Sequence, residues 1–166
     1  MPIKAVIEII VALMAVLVVT GSADAQLAKA GTYTSQFSWH QMPKPMPLEK
    51  DHTFFIYEIV GTNLNDAHQG FLHEAAVVCH GSNDLVAGVS HSQGYCNATD
   101  RDGDKVFAAY KCESPKPGAR CEGDFRWAGG TGKYTGLKGN NSFNAGLIPN
   151  TSSGYSIWKG EWALPQ

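Results

Sequence analysis

The chain has 166 residues, with 13 basic and 15 acidic side chains and a formal net charge of −2. That balance argues against a nucleic-acid partner, which needs a basic surface. Ten of its 18 glycines lie between Gly118 and Gly160, and because each interior Gly costs a helix about 1 kcal/mol, long helices are excluded there.

Residues 1–25 read as a secretory signal peptide. Lys4 supplies the positive start, Ala5–Val19 the apolar run, and Ala23-Asp24-Ala25 the small-x-small cleavage site. The run interrupts its apolar character at Glu8 and falls short of the ~20 residues a membrane span needs. No stable membrane insertion is therefore expected after cleavage. Residues 26–166 are expected to form one exported domain, secreted or periplasmic, with a net charge of about −1 once Lys4, Glu8 and Asp24 are removed.

Export fits the four cysteines, an even number suited to two disulfides in an oxidising compartment. Of the three connectivities, Cys79–Cys96 with Cys112–Cys121 is favoured, because each pair flanks one hairpin loop. A turn at Asp102-Gly103 would set Cys96 opposite residue 109, not Cys112. The spacings contain no C-x-x-C, so a zinc site is not expected.

In chain order, Gly31–His40 alternates, with Tyr33, Phe37 and Trp39 on one parity, as a half-buried strand does. Gln41–Leu48 carries Pro43, Pro45 and Pro47 and reads as an extended surface linker. Thr53–Val60 is a second strand, Gly61–Gly70 a polar loop, and Phe71–His80 a third strand. Gly81–Ser90 is expected to turn. His91–Thr99 and Lys105–Cys112 form a hairpin around Asp102-Gly103. Ser114–Gly118 is a loop, and Cys121–Trp127, Gly139–Leu147 and Tyr155–Leu164 complete eight strands. Eight short antiparallel strands solve their edge problem by closing, so the predicted fold is all-β, an eight-stranded antiparallel barrel, with a two-sheet sandwich as the alternative.

The segment Gly129–Phe143, GGTGKYTGLKGNNSF, resembles the glycine signature of the allene oxide cyclase and dirigent barrel superfamily. Thr53–Val60, TFFIYEIV, is similar to the early cyclase strand that contains Tyr-Glu-Ile-Asn. The resemblance implies an eight-stranded barrel with a ligand cavity, and it places Glu58 on the glutamate that acts in the cyclase cavity. The family's neighbouring Asn is Val60 here. From the residues themselves, the glycines permit a tight change of direction, and Tyr134 can insert to plug one barrel end. The segment is not a phosphate loop, since Lys133 is followed by Tyr134 and no long helix can follow.

Glu58 is the candidate catalytic residue, since a carboxylate in an apolar barrel has a raised pKa and can move protons. Among the aromatic residues, Tyr57, Phe107, Phe125, Trp127 and Tyr134 are expected to line the cavity. Asp100, Asp102 and Asp104 have the start of a calcium-loop spacing, but Gly103 and Lys111 occupy the wrong places, so a polar hairpin turn is expected. His40, Met42, Met46 and His52 bracket the proline run and offer soft ligands for Cu(I). No G-x-S-x-G hydrolase motif occurs, and neither a resident metal nor a cofactor is expected. The expected function is non-catalytic binding of a small apolar ligand or a protein partner. The alternatives are a cyclase-like isomerase using Glu58 and a periplasmic copper binder using the Met/His run.

Overall fold

A computed structural model describes residues 28–166; the expected signal peptide lies outside them. Eight antiparallel strands close into one barrel in sequence order. They are β1 (Ala30–Glu49), β2 (His52–Asn65), β3 (Ala75–Val86), β4 (Val89–Thr99), β5 (Lys105–Glu113), β6 (Cys121–Gly130), β7 (Asn140–Leu147) and β8 (Ser153–Ala163). Closure is made by β1 against β8, in register from Ala30↔Ala163 to His40↔Ser153.

Three segments differ from the sequence expectation, each for a local reason. The proline run is not a linker but the second half of β1, paired with β2 from Met42↔Glu58 to Pro47↔Thr53. The β8 partner ends at His40, after which Gln41 N–H donates to Ser152 O (2.8 Å). Pro43, Pro45 and Pro47 share the parity of Gln41, so each missing N–H lies on the side that β8 has vacated. Lys44 and Met46, of the other parity, face β2 with their backbone groups intact.

The polar stretch after Val60 continues β2 to Asn65, because its asparagines work inside the barrel. Asn63 Nδ2 donates to Leu72 O (2.9 Å) and Asn65 Nδ2 to Phe71 O (3.0 Å). These bonds hold the turn before β3, so Phe71 and Leu72 bend inward, 4% and 1% exposed, instead of starting a strand. The expected turn over Gly81–Ser90 shrinks to Ala87-Gly88, both at positive φ, between the paired Val86 and Val89. That is the two-residue hairpin whose twist matches its strands.

The glycine segment closes one barrel end. Gly132–Tyr134 forms a single 3₁₀ turn and buries Tyr134 beside Phe71, 5.9 Å between ring centroids. Phe71 is the centre of this plug: it stacks on Trp162 (4.6 Å) and meets Tyr33 and Trp127 edge-on at 5.3 and 5.5 Å. Such pairs add to simple area burial. Gly132 sits at φ 49° against the Asp104 carboxylate, where a Cβ would collide.

The acidic turn locks onto the same plug. Lys133 Nζ lies 2.6 Å from Asp100 Oδ2 and also engages Asp102, and the Lys133 N–H donates to Asp104 Oδ2 (3.1 Å). The cation held by this turn is thus the chain's own ammonium. Burial opposes the charge on Asp100, but Lys133, Tyr134 and the Asp102 N–H together hold its carboxyl below the usual range. A depressed pKa stabilises the fold above the unfolded value, near 4, and that contribution is lost as pH falls through the folded value. Asp100→Asn is expected to cost about 1 kcal/mol at pH 7. In urea titrations across pH, the gap from the parent protein should narrow below about pH 4; a constant gap would contradict the assignment.

Candidate functional site

Away from the plug, the barrel holds a cavity of about 500 Å³. Its wall is aromatic, from Phe37 and Trp39 on β1, Tyr57 on β2, Phe125 on β6, Phe143 on β7 and Trp158 on β8. Trp158 meets Phe37 and Phe125 at 5.2 Å each and forms the floor with them. The Trp39 indole N–H donates to Ser156 Oγ (3.0 Å), which satisfies its one polar atom within the wall.

A hydrogen-bonded polar cluster interrupts this wall. Tyr57, Gly81, Gly94 and Tyr110 are successive register partners on β2 to β5. The two glycines leave bare backbone between two inward tyrosines, and the phenols reach over it until their oxygens are 2.7 Å apart. A Cβ at either glycine would strike the Tyr110 hydroxyl. Ser92 Oγ joins at 2.6 Å from Tyr57 and donates to Ser82 O at 3.2 Å. Burial pushes both phenols above their ordinary pKa, Tyr110 far above it, so both are neutral hydroxyls at any physiological pH.

Both disulfides face this cavity, with the expected pairing. Cys79 and Cys96 are direct register partners on β3 and β4. Cys112–Cys121 closes the base of the loop between β5 and β6, whose Gly118, Ala119 and Arg120 border the mouth. Arg120 ties that loop to the neighbouring strands β7 and β8. Its Nη2 donates to the carbonyls of Asn144 (3.0 Å) and Tyr155 (2.9 Å), and its guanidinium lies 4.3 Å over the Tyr155 ring.

The residues expected at the site divide sharply. Tyr57 and Phe125 line the cavity. Trp127 and Tyr134 belong to the aromatic plug. Phe107 faces outward and is 39% exposed, since β5 turns Val106, Ala108 and Tyr110 inward instead. Glu58 is corrected as well. Tyr57 and Ile59 take the inward parity on β2, which leaves Glu58 on the outer wall, where His80 Nε2 bonds its Oε2 at 2.8 Å. Tyr110, Ser92 and Phe143 were not anticipated; only strand pairing brings them to the cavity.

The Met/His run does not converge. Met42 and Met46 lie four residues apart on β1, about 13 Å by strand rise, with Lys44 between them. His52 is engaged by Asp84 at 2.6 Å, which lifts its pKa, and His40 lies beside Ser153. Among the described residues no cluster of three His, Cys, Asp or Glu side chains is placed to hold a metal ion.

Fold and site together define a disulfide-bonded antiparallel barrel, plugged at one end and hollow at the other. No family model, curated protein or solved structure matches the chain.

Proposed function

We propose that this barrel binds a small, largely apolar ligand in its cavity, as an exported, non-catalytic carrier or sensor of that ligand. The carrying observation is the chemistry of the lining. A volume of about 500 Å³ suits a small organic molecule. Among the described residues Arg120 is the one formally charged residue that borders it, and its side chain is spent on the rim. Proton-transfer chemistry needs an acid or base within hydrogen-bond reach, and the nearest expected candidate, Glu58, faces water. The two disulfides are compatible with an oxidising compartment and so support export. The resemblance of Gly129–Phe143 to the allene oxide cyclase and dirigent barrels supports a cavity-bearing barrel, with binding in place of cyclisation.

The test is calorimetric titration with naphthalene as the probe. Binding by the parent protein is expected, with at least a tenfold loss in Ala145→Phe, which fills the cavity from β7. Absence of binding to the parent, or unchanged binding to the filled variant with its fold intact, would overturn the reading.

A further inference from the structure

The hydroxyls of Tyr110, Tyr57 and Ser92 form a chain with a direction. Ser92 has one proton, and the Ser82 carbonyl, which can only accept, takes it. Ser92 Oγ must then accept from Tyr57 across 2.6 Å. The Tyr57 proton being used, its oxygen must accept from Tyr110 across 2.7 Å. All three protons thus run toward the backbone of β3. The hydroxyl chain ends inside the cavity on the Tyr110 oxygen, whose lone pairs have no partner among the described residues. Each bond polarises the next, which strengthens the terminal oxygen as an acceptor.

We propose that the cavity selects neutral, apolar ligands carrying one hydrogen-bond donor, an alcohol or phenol, which donates to Tyr110. This rests on the cavity-binding reading and adds a chemical class to it. A ligand with only an acceptor finds no free proton on the chain, and a fully apolar one leaves the Tyr110 oxygen buried without a donor, which costs free energy. An anion finds no free cation at the chain's end.

Three matched probes separate these cases by calorimetry: 2-naphthol, 2-methoxynaphthalene and naphthalene. The parent protein is expected to bind 2-naphthol roughly tenfold tighter than the methyl ether. Tyr110→Phe should abolish that preference and bind naphthalene no more weakly than the parent, since the Tyr110 oxygen is then no longer left buried without a donor. Tyr57→Phe offers a second arm that removes no cavity volume. It frees the Tyr110 proton, so the methyl ether should gain on 2-naphthol. Thermal unfolding confirms that each variant is folded. Equal binding of 2-naphthol and its ether by the parent, or a preference that survives Tyr110→Phe, overturns the proposal while cavity binding stands. If none of the three probes binds, cavity binding itself fails and the proposal falls with it.

Discussion

Phe71→Ala is expected to lower the unfolding free energy by about 3–5 kcal/mol, read as a shift in the urea midpoint at constant slope. Phe71 lies outside every strand yet is nearly buried, and four aromatic rings close on it. Truncation leaves a void that Trp162 and Tyr134 cannot fill, since both are fixed by their own strand or turn. The paired control is Phe107→Ala. It removes the same side chain from the outer wall, so it should cost less than about 1 kcal/mol. Equal costs would show that the plug is not what holds this end together.

Replacing both Cys79 and Cys96 by Ala should cost about 3 kcal/mol, from loss of a cross-link that closes a 17-residue separation in the unfolded chain. The same change at Cys112 and Cys121, separated by 9 residues, should cost slightly less, about 2.5 kcal/mol. Binding should reverse that order. Cys79–Cys96 joins strands already paired along their length, whereas Cys112–Cys121 fixes the base of the loop that borders the mouth. Chemical denaturation and probe titration of both double variants check the two rankings.

Features set by local geometry were readable before folding. The Asp100–Asp104 loop, the cysteine pairing and the plug at Tyr134 each depend on a few adjacent residues, although the loop sets Cys96 opposite Ala108 and not residue 109. The facing of β2 was not readable, because Phe54, Ile56 and Val60 on one parity are as apolar as Phe55, Tyr57 and Ile59 on the other. Alternation cannot choose a face when both are hydrophobic, so only the family resemblance places Glu58 in the cavity, and the side chain lies outside it. The same ambiguity in Lys105–Tyr110 misplaced Phe107. The Tyr57–Tyr110 contact leaves no linear signal, as it arises only when Gly81 and Gly94 come into register. Asn63 and Asn65 looked like loop because their partners, the carbonyls of a turn, are visible only once the chain has bent.

The prolines of β1 carry a consequence for how copies of the barrel meet. Beyond His40 this strand has a free margin, where a closed sheet of this kind offers an opening to another strand. Along it stand the carbonyls of Pro43, Pro45 and Pro47 with no N–H between them. An incoming strand would satisfy its own donors and leave its acceptors facing nothing, about half a ladder at the cost of desolvating the rest. The barrel can therefore stay open at its mouth, wide enough to admit a ligand, without becoming a template for fibres.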